Sequence, residues 1–126
     1  MSELKIMLCD DSLLVRKKLK DALNELGFSN VIEATDGEEA VALFKQERPE
    51  LVLMDIVMPK MDGITALSEI KTLDPSAHVV MVSSVGTQGK LMNAIKLGAN
   101  NFLQKPVNPS AIVEIAKKLM VKRGDQ

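Results

Sequence analysis

The sequence predicts an α/β domain in which five strands alternate with five helices and form a parallel sheet covered on both faces. Short apolar runs alternate along the chain with stretches whose apolar residues recur at helical spacing. Several of the runs are apolar at consecutive positions, which is typical of strands buried on both faces. The 126 residues suit one domain, so we expect a single domain over 1–126 with its core at about 5–120.

Each predicted strand is a short apolar run of β-forming residues. The second run contains Glu33 and is short, which favours an edge position in the sheet. The five runs are Ile6–Leu8, Val31–Ala34, Leu51–Met54, Val79–Val82 and Phe102–Leu103.

The first three predicted helices are recognised by their apolar spacing and by their ends. Gly27 follows the first as a C′ residue, and Asp36–Glu39 resembles a capping box that opens the second. The third runs from about Ile64 to Leu73 and stops before Asp74-Pro75. The apolar positions of the first two helices are Val15, Leu19, Leu23 and Leu26, and then Ala40, Val41 and Phe44.

The last two predicted helices follow the fourth and fifth strands. Asn108 and Pro109 form an N-cap with proline at the first helical position, and the tail from Val121 to Gln126 is expected to fray. The predicted inner faces are Leu91, Ala94, Ile95 and Gly98 in the fourth helix, and Ile112, Ile115, Ala116 and Leu119 in the fifth.

The composition argues against several classes of protein. With three Phe, no Tyr and no Trp, the chain lacks the aromatic platforms on which RNA-binding and single-strand-binding modules stack bases. A net charge of −1 leaves no overall field to attract nucleic acid. The single cysteine, Cys9, lies in an apolar run and reads as a buried side chain. Neither a secretory signal nor an apolar run of membrane-spanning length is evident, so we expect a cytoplasmic protein without membrane contact.

Polar residues follow four of the five predicted strands. Asp10 and Asp11 follow the first, Asp55 the third, Ser83 and Ser84 end the fourth, and Lys105 follows the fifth. In an open parallel sheet, ligands bind beyond the carboxyl ends of the strands. We therefore expect these side chains to meet at one edge.

This set of residues suits phosphoryl chemistry. Three carboxylates in one cleft repel one another, and Mg²⁺, which prefers oxygen ligands, relieves that repulsion. Lys105 supplies a positive charge and Ser83 a hydroxyl donor, both of which a phosphoryl group needs. With Cys9 read as a buried side chain of the first strand and no His near these positions, the nucleophile must be a carboxylate, which forms an aspartyl phosphate in known reactions.

The motifs resemble those of response-regulator receiver domains. They are Asp10-Asp11, the string Asp55–Gly63, Ser83 and Lys105-Pro106. The likeness covers the chain from about Lys5 to Met120 and is to a stand-alone receiver of the CheY-like chemotaxis type. It implies a flavodoxin-like (βα)5 fold, doubly wound, with strand order 2-1-3-4-5.

The resemblance also implies a role for each site residue. Asp55 would accept a phosphoryl group from a histidine kinase, and Mg²⁺ would be held by Asp10, Asp11, Asp55 and the backbone carbonyl of Val57. Ser83 and Lys105 would contact phosphoryl oxygens, and the Lys105–Pro106 bond would be cis.

The implied output is a change of partner affinity and not an enzymatic activity beyond the chain's own aspartyl phosphorylation and dephosphorylation. Phe102 occupies the position of the switch aromatic, which moves inward when Ser83 is drawn to the phosphate. The partner would bind the surface of helix 4, strand 5 and helix 5, and the flagellar motor switch is the expected target. A phosphatase partner is also implied, and a monomer that dimerises on phosphorylation is a further expectation.

This sequence departs from many relatives in ways that affect the chemistry. Ser83 stands where Thr is common, Phe102 where Tyr is common and Ser84 where Ala is frequent. Val57 and Val85 flank the expected acyl phosphate, and since neither can orient an attacking water, we expect slow autodephosphorylation.

Two other functions remain as alternatives. The chain could be a single-domain phosphorelay intermediate that passes its phosphoryl group to a second histidine protein, or the receiver part of a larger DNA-binding regulator. A Mg²⁺-dependent phosphatase with an aspartyl nucleophile is disfavoured, because those enzymes use an Asp-x-Asp pattern after the first strand.

Overall fold

The computed structural model describes residues 3–124, and strands and α-helices alternate along this part of the chain. The strands are β1 (Ile6–Cys9), β2 (Val31–Ala34), β3 (Leu51–Asp55), β4 (His78–Ser83) and β5 (Asn101–Gln104). The α-helices are α1 (Leu13–Glu25), α2 (Gly37–Glu47), α3 (Gly63–Leu73), α4 (Leu91–Lys96) and α5 (Pro109–Lys122), and a 3-10 helix (Val85–Lys90) precedes α4. All strand pairs are parallel and the order is β2-β1-β3-β4-β5. The predicted fold class and strand order are confirmed.

The sheet separates two apolar cores. Because successive residues of a strand point to opposite faces, each central strand contributes to both cores. In β3, Val52 and Met54 pack on the side of α2, α3 and α4, whereas Leu51 and Leu53 pack on the side of α1 and α5. Burial on both faces explains why the strands are apolar at consecutive positions.

Polar side chains begin four of the helices. Ser12, Asp36, Asp62 and Asn108 are the N-caps of α1, α2, α3 and α5, and each side chain accepts a hydrogen bond from a backbone N–H of the first turn. Of the two hydrogen bonds of the predicted capping box at α2, the first is formed and the second goes to a different residue. Asp36 accepts from the Glu39 N–H at 2.8 Å, but the Glu39 carboxylate reaches the N–H of Thr35 at 2.6 Å.

The region around α4 differs most from the sequence prediction. A 3-10 helix that includes Gly86 and Gly89 precedes α4, and α4 has only six residues. Ile95, expected on the inner face, is 53% exposed, and Gly98 lies beyond the helix with a φ of +97°. Such a short helix presents one residue, Ala94, fully to the core.

Three smaller details of the structure add to or differ from the sequence prediction. Leu26 is 50% exposed because α1 ends at Glu25 and Leu26 is its C-cap. β4 begins at His78, one residue before the predicted start at Val79, and His78 Nε2 lies 2.6 Å from Asn101 Oδ1 on β5. In the tail, where fraying was expected from Val121, α5 is helical through Lys122. The remaining positions of the predicted tail, 125 and 126, lie outside the described residues.

The loop between β3 and α3 is held by a close approach of Gly63 to the end of β3. The Gly63 N–H donates to the Ile56 carbonyl at 2.8 Å, and a Cβ on Gly63 would lie 2.0 Å from the Asp55 carbonyl oxygen. No side chain fits at that distance, so the loop returns to Asp55 only with glycine at this position.

Gly63→Ala should therefore lower the free energy of unfolding by about 1–3 kcal/mol, because the backbone must move to relieve the clash. Gly86→Ala is the matched control, since a Cβ there meets no atom within 4 Å; it should leave stability unchanged or raise it slightly. Urea unfolding followed by circular dichroism measures both variants. Equal stabilities for the two would contradict the proposed close approach.

Candidate functional site

Three carboxylates meet at the carboxyl edge of the sheet. Asp55 is the last residue of β3, and Asp10 directly follows β1, so the parallel pairing of these strands places them side by side. Oxygens of Asp10, Asp11 and Asp55 all lie within 4.8 Å of one another. Asp10 and Asp55 are 6% and 7% exposed, whereas Asp11 is open to solvent. The predicted acidic cluster therefore exists.

Lys105 extends into the same site from the end of β5. Its Nζ lies 2.8 Å from Asp55 Oδ2 and 3.0 Å from Asp10 Oδ2. Its backbone N–H donates to the Ser83 carbonyl at 2.8 Å, which ties it to the end of β4. The Lys105–Pro106 peptide bond is cis, as the resemblance implied.

Ser83 lies at the same edge of the sheet, one residue beyond the strand partner of Asp55. Asp55 pairs with Val82, and Ser83 pairs with Gln104, the residue before Lys105. Ser83 is 3% exposed and ends β4. Ser84 is exposed and is the N-cap of the 3-10 helix, and its N–H donates to Thr87 Oγ1 at 2.9 Å.

Burial raises the pKa of Asp55 above its ordinary value of 3.8. The negative charge of Asp10 raises this pKa further, while the hydrogen bond and charge of Lys105 and a backbone hydrogen bond from Val57 oppose the shift. The upward shift means that burial and the charge of Asp10 together outweigh the stabilising contacts of the ionised form.

The pKa of Lys105 is raised as well, in this case by its acidic neighbours. Burial lowers its pKa, but hydrogen bonds and charges from Asp55 and Asp10 outweigh that effect and raise the pKa above 10.5. Lys105 is therefore a permanent cation near neutral pH. Its one ammonium faces three carboxylates, which leaves an excess of negative charge in the cleft.

The donor set fits a hard divalent cation. The three carboxylates supply oxygen ligands at mutual distances that one ion can bridge, and Mg²⁺ binds through such oxygens together with water. Val57 follows in the β3–α3 loop with its side chain 54% exposed. Its carbonyl as a fourth protein ligand stays a prediction.

The family model for the response regulator receiver domain matches residues 6–117. The chain belongs to the response-regulator receiver family. The chemotaxis protein CheY of Thermotoga maritima is 41% identical over 115 residues, which cover 91% of this chain and 96% of that protein.

Two solved structures extend the comparison. A CheY-like receiver domain from Methanospirillum hungatei has a TM-score of 0.88 and 28% identity, covering 97% of this chain and 98% of the other. CheY of Borrelia burgdorferi, in a complex of CheX, CheY, BeF3 and Mg²⁺, has a TM-score of 0.81 and 34% identity, covering 94% and 88%. The chain is thus similar to CheY-like receivers over nearly its whole length.

Phe102 of the receiver lies on β5, paired with Met81 of β4. Its side chain is half-buried and packs against the core between the sheet and α2, α3 and α4. Phe28 and Phe44, by contrast, are buried, at 7% and 1% exposure.

Sequence reasoning missed one pair of residues that supports the site. Arg16 of α1 is 7% exposed and bonds both the Asp10 backbone and the Glu33 side chain of β2. The sequence signal was a charged residue in the inward stripe of α1, one turn before Leu19 and two before Leu23.

Among the described residues, 3–124, the receiver has no helix with the length and apolar character needed to cross a membrane.

Mg²⁺ should raise the melting temperature of the receiver, and Asp11→Asn should remove most of that increase because it deletes an exposed ligand of the acidic cluster. At one hundred times its dissociation constant, a ligand of the folded state adds about 2.7 kcal/mol of stability. Asp21→Asn is the control, since that exposed carboxylate on α1 pairs with Lys17 at 3.3 Å. Thermal circular dichroism with and without Mg²⁺ measures the effect, and an unchanged increase in Asp11→Asn would disprove the metal assignment.

Proposed function

We propose that this receiver is a phosphorylation-controlled switch in which Asp55 accepts a phosphoryl group from the phosphohistidine of a histidine kinase. One observation carries the proposal. The buried Asp55 carboxylate lies 2.8 Å from the Lys105 ammonium and within 4.8 Å of two further carboxylates. A nucleophile, a fixed cation and a divalent-cation site together are what phosphoryl transfer requires.

In the proposed transfer, an oxygen of ionised Asp55 attacks phosphorus and forms a new O–P bond. The P–N bond to the kinase imidazole breaks, and its electron pair returns to the ring nitrogen. The receiver thereby catalyses its own phosphorylation and is not otherwise an enzyme.

Charge balance explains the other residues of the site. A Mg²⁺ ion held by Asp10, Asp11 and Asp55 would offset the negative charge of the phosphoryl group. Lys105 is bonded to both Asp10 and Asp55, and phosphorylation of Asp55 redirects its ammonium to a phosphoryl oxygen. The Ser83 hydroxyl donates to another oxygen of the same group.

The proposed output follows from the contact between β4 and β5. Movement of Ser83 toward the phosphate frees space beside β4. The half-buried side chain of Phe102, on the neighbouring strand β5, then moves inward into that space. Population of this second arrangement alters the surface of α4, β5 and α5. That surface includes Met92 and Ile95, both more than half exposed, which suit contact with a protein.

Similarity to CheY supports a role in chemotaxis, with the flagellar motor switch as the cytoplasmic target. The Borrelia complex of CheY with CheX supports a second partner that acts on the phosphorylated receiver, which we take to be a phosphatase. The histidine kinase is the first partner in this scheme.

Incubation with a small phosphodonor and Mg²⁺ should add the mass of one phosphoryl group to the wild type and none to Asp55→Asn. The reason is that an amide oxygen is not a competent nucleophile here. Asp62→Asn is the control, because this neighbouring aspartate caps α3 and an asparagine keeps the cap. Intact mass spectrometry decides the outcome, and phosphorylation of Asp55→Asn would place the acceptor elsewhere.

The acyl phosphate should be long-lived, because Val57 and Val85 are 54% and 83% exposed and neither can orient water for attack. The double variant Val57→Asn with Val85→Gln should shorten its lifetime several-fold. Val121→Asn, an exposed valine of α5, is the control. Loss of phosphorylated mass with time measures the rate after the phosphodonor is removed. Equal lifetimes in the wild type and the double variant would refute the role of these valines.

A further inference from the structure

We propose that Arg16 is a positioning residue that holds the Asp10–Asp11 peptide in the geometry required to bind the divalent cation. The inference rests on the metal site of the proposed function and assigns part of its affinity to a residue that contacts no ligand. The guanidinium of Arg16 is buried and takes no part in the proposed phosphoryl transfer.

Arg16 is a charged side chain on the inner side of α1, at 7% exposure. Its Nη1 donates to the backbone carbonyl of Asp10 at 2.7 Å, and its Nε donates to Glu33 Oε1 at 3.0 Å. A charge buried this deeply is costly unless it is paired and hydrogen-bonded. The two hydrogen bonds of Arg16 link α1 to the end of β1 and to the edge strand β2.

The carbonyl that Arg16 binds belongs to the peptide unit joining two of the acidic residues. Because a peptide unit is planar, fixing the Asp10 oxygen fixes the N–H of Asp11 and the direction in which Asp11 leaves the strand. The plane can otherwise rotate about its two flanking bonds. Arg16 therefore limits how far the Asp11 carboxylate can move relative to that of Asp10.

Two further hydrogen bonds hold the same segment. The Ser12 N–H donates to Asp10 Oδ1 at 2.8 Å, which orients the Asp10 carboxylate, and the Asp10 N–H donates to the Ala34 carbonyl at 3.1 Å. Arg16 adds a third hydrogen bond, to the backbone carbonyl of the peptide unit that joins Asp10 to Asp11. A metal site whose ligands are held in this way is preorganised, and loss of such supporting contacts weakens metal affinity by roughly 10–100-fold.

Electrostatics alone predicts the opposite effect of removing Arg16. A cation near the acidic cluster repels a second cation, and its removal leaves the Glu33 carboxylate with one partner fewer. Both changes favour a bound divalent cation. A weaker affinity after removal of Arg16 can therefore be attributed to lost geometry.

Lys20 provides the matched control. Its Nζ lies 3.4 Å from Glu33 Oε2, so it shares a carboxylate partner with Arg16 and carries the same charge. The described hydrogen bonds and ion pairs of Lys20 do not reach Asp10. Lys20→Met removes the positive charge without touching the peptide that Arg16 fixes.

The experiment is isothermal titration calorimetry of the full chain with Mg²⁺ at a temperature where each variant is folded. Arg16→Met should bind Mg²⁺ about tenfold more weakly than the wild type, and Lys20→Met should bind equally or more tightly. Arg16→Lys keeps the charge but lacks the forked donors that reach Asp10 and Glu33 together, so it should also bind more weakly. This conservative variant carries the test if Arg16→Met does not fold.

Amide hydrogen exchange of the metal-free chain is a second readout, independent of the ion. Exchange at the Ser12 N–H should be faster in Arg16→Met than in Lys20→Met, because its acceptor on Asp10 loses its support. Wild-type affinity in Arg16→Met and Arg16→Lys would overturn the inference. Failure of the wild type to bind Mg²⁺ would instead refute the proposed metal site.

Discussion

The receiver depends on an imbalance of charge at the carboxyl edge of its sheet. Three carboxylates share that edge with one lysine, and two of the three are almost fully buried. Folding has to bring these groups together against their repulsion and against the cost of burying a carboxylate. Burial, with a smaller contribution from the charge of Asp10, raises the pKa of Asp55. A divalent cation would lower the excess of negative charge at this edge, and a phosphoryl group would raise it again. The net charge of the site therefore depends on both.

The rest of the fold keeps these charges in place. The sheet is apolar on both faces and supplies two cores, which stabilise the domain away from the site. Strand register brings Asp55, Ser83 and Lys105 to one edge, and the close approach of Gly63 returns the β3–α3 loop to Asp55. The burial of apolar residues therefore offsets the cost of an unfavourable arrangement of charges.

Residues whose role depends on local pattern could be predicted from the sequence. Consecutive apolar positions mark the buried strands, and in a parallel sheet the residues after them must share an edge, so the acidic cluster and Lys105 followed directly. Arg16 and Glu33 could not be paired in this way, because their contact depends on how α1 packs over β1 and β2. Ile95 was misplaced for a related reason: spacing predicts a helical face but not that α4 is six residues long.

The burial of the three phenylalanines narrows the choice of a switch residue. Phe28 and Phe44 are buried on opposite sides of the sheet, where movement would disrupt a packed core. Phe102 is half-buried on the edge strand β5, beside the strand that ends in Ser83. A side chain with one open side can exchange positions without leaving a cavity. Among the aromatic residues of the chain, Phe102 alone combines that freedom with a place next to the site.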